Sequence, residues 1–284
     1  MNLAEAKKLW KVAKDNKLGG YKITGYLGSE PVPVMPAQID GIDVVAIGNE
    51  AFRNSTAITG MILPPTLISL GKGAFRRCTE LVEIELPALI LEVPKQLFAG
   101  CTSLRRVRLP DAMVTIEKSA FESISEDEFA PMGLENLEIS GENGAYSTFD
   151  GALYSKDGTK LLLCPCAKTA LTLPQTLTEV PKYAFSGMKT LKTVTLPRNL
   201  KKIGADAFYG CNALETLDVP ESVKTITGST FTSCWNLKLT IRGAKTRLDK
   251  DALVWCPNAS IIAPAGSPAE QYAQDNNLTF IVLE

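Results

Sequence analysis

Cysteine is the residue type in this sequence with the most potential for chemistry, and histidine is missing. The 284-residue chain contains 7 cysteines and no histidine. The lack of histidine excludes a Ser-His-Asp triad, a Cys-His nucleophile and any metal site with imidazole ligands. Cysteine chemistry would therefore have to be disulfide formation or metal binding through thiolates.

The spacing of the cysteines argues against both. Cys78 and Cys101 lie 23 residues apart, as do Cys211 and Cys234. Each of these residues takes the same place in a repeating unit, so the repeat alone explains their spacing. We predict a column of buried, reduced thiols that pack as small hydrophobic side chains, which favours a reducing compartment.

Two other patterns superficially suggest a site. Cys164-Pro165-Cys166 lies outside the repeat register, and a Cys-x-Cys pattern without histidine is a weak metal signal whose chemistry stays open. Glu83 and Glu85 form a carboxylate pair of the kind that glycosidases use. They are, however, simply the two outward positions of one predicted strand. Phosphate-binding loops, nucleophile elbows and metalloprotease motifs are absent from the sequence. We predict no catalytic residue, no metal, no cofactor and no enzymatic activity.

The elements that must position any functional residue are repeats marked by phenylalanine and by Leu-Pro. The phenylalanines are Phe52, Phe75, Phe98, Phe121, Phe185, Phe208 and Phe231. The Leu-Pro pairs are Leu63-Pro64, Leu86-Pro87, Leu109-Pro110, Leu173-Pro174 and Leu196-Pro197. Self-similarity with a period of about 20–29 residues is typical of a stacked solenoid.

Within one repeat, alternating residues predict a short strand. Ile84 and Leu86 alternate with Glu83 and Glu85, so the apolar pair faces inward and the acidic pair faces outward. The following proline lacks a backbone donor and ends the strand. The Ala-Phe-x-x-Cys segment predicts a tight helical or turn-like return with the phenylalanine in the interior. Because one repeat cannot bury its own faces, neighbouring repeats must cover them.

This unit, Leu-x-x-Ile-x-Leu-Pro-x-x-Leu-x-x-Ile followed by Ala-Phe-x-x-Cys, resembles the BspA-type leucine-rich repeats of many bacterial surface antigens. The resemblance covers roughly residues 21–284. It implies an α/β repeat solenoid, a leucine-rich-repeat right-handed superhelix with parallel strands, short helical or turn returns, terminal caps and one β-hairpin insertion. It also implies a role in adhesion or protein binding, and no active site.

We predict a single leucine-rich-repeat domain over residues 1–284. Its segments are an N-terminal helix and cap (1–46), repeats (47–140), a hairpin insertion (141–170), further repeats (171–262) and a C-terminal cap (263–284). The Asn2–Glu5 capping pattern predicts a helix over residues 2–14, followed by a strand over 21–26. Ser267-Pro268 predicts a helix to about Asp275, and residues 278–283 predict a closing strand.

The insertion lies between Phe121 and Phe185, where the interval exceeds two periods. It includes an acidic run at residues 126–128 and an Asp157-Gly158 pair that predicts a β-hairpin within residues 152–163. The hairpin is either a structural spacer or a dedicated binding element.

Composition limits the partners and the compartment. A net charge of −1 gives no electrostatic basis for binding nucleic acid or an anionic membrane. No apolar run reaches the roughly 18–20 residues that a membrane helix needs. Residues 1–17 are charged and amphipathic and lack the apolar core of a signal peptide. We expect a cytoplasmic protein as the chain stands, or a surface or secreted protein if a leader has been removed.

The outward side of the predicted sheet is the candidate binding face. Its residues are Glu83, Glu85, Arg106, Arg108, Asn136, Glu138, Thr172, Thr193, Thr195, Thr216 and Asp218. Parallel strands lie about 4.8 Å apart, so acidic and basic residues of the first strands either neutralise one another or contact a protein. The later strands present a neutral, hydroxyl-rich strip, which is either ordinary strand composition or a contact surface for protein or glycan.

Three aromatic residues near the last repeats, Tyr209, Trp235 and Trp255, either cap the core or form a sugar-stacking or interface patch. The function we expect is a protein-binding or adhesion scaffold without a nucleic-acid partner and without membrane insertion. A glycan-binding module and a structural spacer within a cell-surface protein are the alternatives.

Overall fold

The computed structural model of the protein describes residues 1–121, 133–165 and 167–284. The described residues form two compact units, Met1–Ala145 and Tyr146–Glu284. Each unit is a solenoid of short parallel strands joined by turns, as the repeats predict. The acidic run at 126–128 and Cys166 lie outside the described residues. The division of residues 1–284 into one domain with five segments stays a prediction.

In the described residues of the first unit, a short helix is followed by ten short strands. These elements are α1 (Leu3–Leu9), β1 (Trp10–Asp15), β2 (Gly20–Tyr26), β3 (Gln38–Ile39), β4 (Ile42–Ile47), β5 (Ser69–Leu70), β6 (Glu83–Glu85), β7 (Glu92–Val93), β8 (Arg106–Arg108), β9 (Thr115–Ile116), a 3-10 turn (Lys118–Phe121) and β10 (Asn136–Glu138). Strands β6, β8 and β10 form one parallel sheet, and β7 and β9 form another.

The predicted helix over residues 2–14 is wrong beyond Leu9. The capping box is present, since Asn2 Oδ1 accepts from the Glu5 N–H at 2.9 Å. At Trp10, however, the chain becomes a strand that pairs antiparallel with β2. The buried Trp10 ring lies 4.7 Å from Tyr26 and 6.4 Å from Phe52, centroid to centroid. Extended backbone lets this large ring close the first layer of the core, and that packing overrides the helical spacing.

Inward and outward residues alternate along each repeat strand as predicted. Ile84 and Val107 are buried, and the acidic and basic residues on either side of them are exposed. A turn follows each Leu-Pro pair: the Ile90 N–H donates to Pro87 O at 3.0 Å. The proline therefore both ends the strand and starts the turn toward the second sheet.

The phenylalanines stack in the interior of both units. Centroid distances along Phe52, Phe75, Phe98 and Phe121 are 5.2, 5.8 and 5.5 Å. Along Phe185, Phe208 and Phe231 they are 4.9 and 5.4 Å. All seven rings are buried, which confirms that each of these repeats contributes one ring to the core of its own unit.

The repeat cysteines are buried and unbridged, as predicted. Each thiol also makes a contact that sequence reasoning missed, because it donates to the carbonyl of the phenylalanine one repeat earlier. The Sγ–O distances are 3.1 Å for Cys78, 3.0 Å for Cys101, 3.1 Å for Cys211, 3.2 Å for Cys234 and 3.0 Å for Cys256. Burial raises the pKa of Cys211 to about 12, so its thiol stays protonated and can donate.

Most return turns hold left-handed residues on either side of the phenylalanine. Two positions before it are Glu50, Gly73, Gln96, Tyr183 and Asp206, and two positions after it are Asn54, Arg77, Gly100, Gly187, Gly210 and Ser233. This conformation aims a backbone N–H at the next repeat, as Gly210 N–H does at Thr232 O (2.9 Å). Glycine adopts it at the least steric cost.

The second unit contains the remaining strands and a C-terminal helix. They are β11 (Tyr146–Phe149), β12 (Ala152–Ser155), β13 (Leu161–Leu163), β14 (Ala170–Thr172), β15 (Glu179–Val180), β16 (Thr193–Thr195), β17 (Lys202–Ile203), β18 (Thr216–Val219), β19 (Thr225–Ile226), β20 (Lys238–Ile241), β21 (Arg247–Leu248), β22 (Ser260–Ala263), α2 (Pro268–Asp275) and β23 (Thr279–Val282). The main parallel sheet runs β14-β16-β18-β20-β22-β23, and a second runs β15-β17-β19-β21.

The predicted hairpin around Asp157-Gly158 is present as β12 and β13. It belongs to a three-stranded antiparallel meander, because β11 also pairs with β12 through a turn at Asp150 and Gly151, both with positive φ. Tyr154 of the meander is buried in the same core as the repeats. Asp150 also accepts from the Thr172 N–H at 2.7 Å, which covers the edge of the main sheet. These contacts favour a structural role for the insertion.

The C-terminal prediction is confirmed. Helix α2 begins after Ser267, whose side chain accepts from the Glu270 N–H, and it ends at Asp275. Strand β23 then pairs with β22 and closes the sheet.

Candidate binding surfaces

The first candidate surface is the outward side of β6, β8 and β10, called here the charged face. Register places Glu83, Arg106 and Asn136 in one row. It places Glu85, Arg108 and Glu138 in the next row. All are exposed except Asn136, which is half-buried. The predicted outward placement of these residues is confirmed, apart from the partial burial of Asn136, and their role in binding stays a prediction.

Opposite charges on this face form two exposed ion pairs. Arg106 Nε lies 3.3 Å from Glu138 Oε1, and Arg108 Nη1 lies 3.8 Å from Glu85 Oε1. Glu83 has no ion pair within the described part of the chain. The face is thus partly neutralised, and its charges keep contact with water.

The charged face forms one side of a groove of about 470 Å³. Exposed apolar residues Val32, Ile62 and Val82 also line the groove. Val34 bridges to Ile62 in parallel, which fixes the segment that carries Val32 beside the strands. Sequence reasoning missed this wall because the segment was assigned to the cap. The alternation Pro31-Val32-Pro33-Val34 is the signal that it contains an extended, laterally paired strand.

The second candidate surface is the outward side of β14, β16, β18 and β20, called here the threonine face. Thr172, Thr193, Thr195, Thr216 and Asp218 are all exposed on it. Register aligns Thr172 with Thr195 and Thr193 with Thr216. The rows confirm the predicted strip of hydroxyl groups.

The prediction that this strip is neutral is wrong at its far side. Lys238 lies in register with Thr216. Arg242 clamps Asp218, with Nε 2.8 Å from Oδ1 and Nη2 2.5 Å from Oδ2. These hydrogen bonds raise the pKa of Arg242. The threonine face and its cations line a groove of about 850 Å³.

The third candidate surface is aromatic. Tyr209, Trp235 and Trp255 are 36, 50 and 72% exposed, so the interpretation of these residues as core caps is wrong. Trp235 and Trp255 line one cleft of about 510 Å³.

The structure gives no support to metal chemistry at Cys164, which is buried. Over residues 1–121, 133–165 and 167–284, no group of three or more histidine, cysteine, aspartate or glutamate side chains is placed to hold a metal ion. Among the same residues, no helix is both long enough and apolar enough to cross a membrane.

The repeat geometry described above agrees with a comparison against protein families. The family described as a BspA type leucine-rich repeat region matches residues 41–142 and 162–267, in six copies. The chain belongs to this family. The match covers the repeats of both units, so the resemblance inferred from the Leu-Pro and Phe-x-x-Cys spacing is confirmed. No curated protein matches the chain.

Solved structures with this fold are similar to the chain. A leucine-rich repeat protein from Eubacterium ventriosum is 22% identical, with 92% of this chain and 77% of that chain covered and a TM-score of 0.55. A leucine-rich cell surface protein from Faecalibacterium prausnitzii is 19% identical, covers 96% and 95%, and has a TM-score of 0.48. The pneumococcal vaccine antigen PcpA is 16% identical, covers 97% and 96%, and has a TM-score of 0.49. At these identities the likeness concerns the fold alone.

Proposed function

We propose that this protein is a non-enzymatic leucine-rich-repeat scaffold that binds a protein partner through its charged face, in adhesion or in scaffolding. One observation carries the proposal: two rows that each combine acidic and basic side chains lie in a groove beside exposed apolar side chains. Protein interfaces combine these features, with apolar anchors that contribute affinity and charges that set specificity and association rate.

The weakness of the ion pairs supports this role. Exposed pairs of this kind stabilise a fold by only about 0–1 kcal/mol. A partner can therefore exchange them for its own charges at little cost. Glu83 and the pair Glu85–Arg108 are the most available charges, since the latter are 3.8 Å apart. Val32 and Ile62 would supply the apolar contact next to them.

A charge-swap variant tests the proposal without destabilising the face. Glu85→Arg combined with Arg108→Glu keeps a local ion pair but reverses the charge pattern that a partner meets. A partner obtained by pull-down or surface display, then purified, is titrated against both proteins. We expect the swap to weaken binding by about tenfold or more and to reduce its salt dependence.

Glu92→Lys is the matched control, because Glu92 is exposed on the second sheet of the same unit. It should leave the affinity unchanged. Equal binding by the swap variant and the parent protein would count against the charged face. Loss of binding in the control as well would indicate a nonspecific charge effect and would also count against it.

A further inference from the structure

The cleft lined by Trp235 and Trp255 belongs to the second unit and shares no lining residue with the groove of the charged face. Asn236, Pro257 and Asn258 complete its lining, so no charged side chain lines it within the described part of the chain. Both indole rings are at least half exposed. Exposed tryptophan pairs in a concave neutral site call for an explanation, because burial in a core does not account for them.

Trp255 occupies a position where the fold favours glycine. Its φ is 55°, and it lies two residues after Leu253, where other repeats have their phenylalanine. The corresponding residues of other repeats share the left-handed conformation, and they are glycine in three cases (Gly100, Gly187, Gly210) and polar in three (Asn54, Arg77, Ser233). A bulky side chain is strained there. Tryptophan at this position is therefore the one aromatic side chain where the other repeats named here have glycine or a polar residue, and 72% of it is exposed.

Trp235 is equally unnecessary to the repeat. The corresponding residues, four positions after the phenylalanine, are Thr79, Thr102, Lys189 and Asn212 in other repeats. All are polar. Both tryptophans of the cleft thus replace glycine or polar residues of the other repeats, and both place an indole ring in solvent.

The side-chain amides of Asn236 and Asn258 add a hydrogen-bond donor and a hydrogen-bond acceptor to the cleft. Asn258 Nδ2 donates to Asn236 Oδ1 at 2.9 Å. The Asn258 N–H donates to Trp235 O at 3.1 Å, which holds this residue beside the ring. The Asn236 Nδ2 donor and the Asn258 Oδ1 acceptor have no partner among the described residues.

We propose that this cleft binds a neutral carbohydrate, with a hexopyranose ring stacked on an indole and its hydroxyl groups bonded to Asn236 and Asn258. The axial C–H groups of a pyranose form an apolar face that packs on the electron-rich face of an aromatic ring. A sugar hydroxyl both donates and accepts, so a vicinal pair of hydroxyls satisfies the free donor and the free acceptor together.

A proline-rich peptide fits the amides less well. Such peptides dock on aromatic grooves, but proline has no N–H, so the peptide offers mainly carbonyl acceptors. It would use the Asn236 donor and leave the Asn258 acceptor without a partner. The absence of charge in the lining also favours a neutral sugar over an acidic one.

The test uses an array of neutral oligosaccharides, including β-1,4-linked glucose and N-acetylglucosamine hexamers, followed by calorimetric titration of each sugar that binds. The key variant is Trp255→Gly, which restores the residue found in three other repeats. We expect it to fold with a near-parental melting temperature and to bind at least about tenfold more weakly. Trp235→Ala should weaken binding similarly.

Tyr183→Gly is the control, because Tyr183 is another exposed aromatic residue at positive φ but does not line the cleft. It should bind like the parent. Trp10 is buried, so any ligand-induced change in exposed tryptophan fluorescence reports on the cleft.

Several outcomes would overturn the proposal. They are no binding to any neutral oligosaccharide, binding that survives both tryptophan substitutions, and binding of a decaproline peptide that displaces the sugar. A dimer that Trp255→Gly converts to monomer would assign the cleft to self-association instead. If Trp255→Gly fails to fold, the strain argument is wrong, and Trp235→Ala alone decides whether sugar binds. None of these outcomes depends on the charged face, so the two proposals fail separately.

Discussion

The charged face of the first unit and the threonine face of the second have the same backbone plan and different chemistry. Ile84 and Val107 lie beneath one face, and Val194 and Leu217 lie beneath the other, all buried. Above them stand glutamate and arginine in the first unit and threonine in the second. Stacking therefore constrains the inward positions of a strand, whereas the outward positions are free to carry recognition.

The comparison also shows that the number of charges does not measure their availability. The charged face has more ionisable groups, yet its pairs are separated by 3.3 and 3.8 Å. The threonine face has few, yet Asp218 is held by two short contacts from Arg242. A partner would meet accessible charges on the first face and hydroxyl groups beside a closed ion pair on the second.

The largest expected effect is on stability, and it tests whether the phenylalanine columns of the two units contribute equally to the free energy of unfolding. Phe98→Ala and Phe208→Ala each remove a fully buried ring from its column. Each should lower the free energy of unfolding by about 3–5 kcal/mol. Urea unfolding followed by circular dichroism measures both, and Phe149→Ala, at an exposed ring, is the control with little effect. A loss of unfolding free energy below about 1 kcal/mol in either variant would show that the two columns do not contribute equally.

The cysteine column gives a smaller effect of the same kind. In Cys101→Ala and Cys234→Ala, the carbonyls of Phe75 and Phe208 lose an S–H donor. Each carbonyl keeps a backbone donor, since the Cys78 N–H bonds to Phe75 O at 3.1 Å. We therefore expect a loss of only about 1–2 kcal/mol in unfolding free energy for each variant. Unequal losses would show that the columns differ.

Much of the fold could be predicted because the repeat makes each residue's role visible several times. The inward phenylalanines, the strand alternation and the outward position of Glu83 and Arg106 all follow from one aligned period. The Trp10 strand could not be predicted, because α1 and β1 occur once and the decision rests on packing against Tyr26 and Phe52.

The candidate binding surfaces were predictable only in part. Period-two alternation located the rows of the charged face, but Val32 comes from an unrepeated segment, so its place beside them depends on tertiary pairing. The exposure of Trp235 and Trp255 was open to prediction, since aligning the repeats places them at glycine and polar positions. The hydrophobicity of tryptophan, taken alone, predicts instead that both side chains are buried.

The antiparallel meander of the second unit contains a buried tyrosine hydroxyl whose removal should change the free energy of unfolding. The Tyr154 hydroxyl is buried without a hydrogen-bond partner among the described residues, and burial raises the pKa of this tyrosine. Tyr154→Phe should raise the free energy of unfolding by about 1 kcal/mol, because it removes an unpaired polar group.

Tyr272→Phe is the matched comparison and should have the opposite sign. The Tyr272 hydroxyl accepts from the Leu253 N–H at 3.1 Å and donates to Lys250 O at 3.3 Å. Its removal should cost about 1 kcal/mol. If both substitutions destabilise in urea unfolding, Tyr154 has a partner, and the meander is bound to the core more closely than packing alone implies.

The smallest expected effect is the coupling free energy of single ion pairs, which compares the charged face with the threonine face. A double-mutant cycle on Glu85 and Arg108, with glutamine replacements, should give a coupling free energy below about 0.5 kcal/mol. A cycle on Asp218 and Arg242, with asparagine and glutamine, should give a measurably larger coupling, because the guanidinium contacts both carboxylate oxygens. Both couplings should shrink in high salt. If the Glu85–Arg108 coupling equals the Asp218–Arg242 coupling, the two ion pairs are equally strong. A partner would then have to break the Glu85–Arg108 pair before it could bind the charged face.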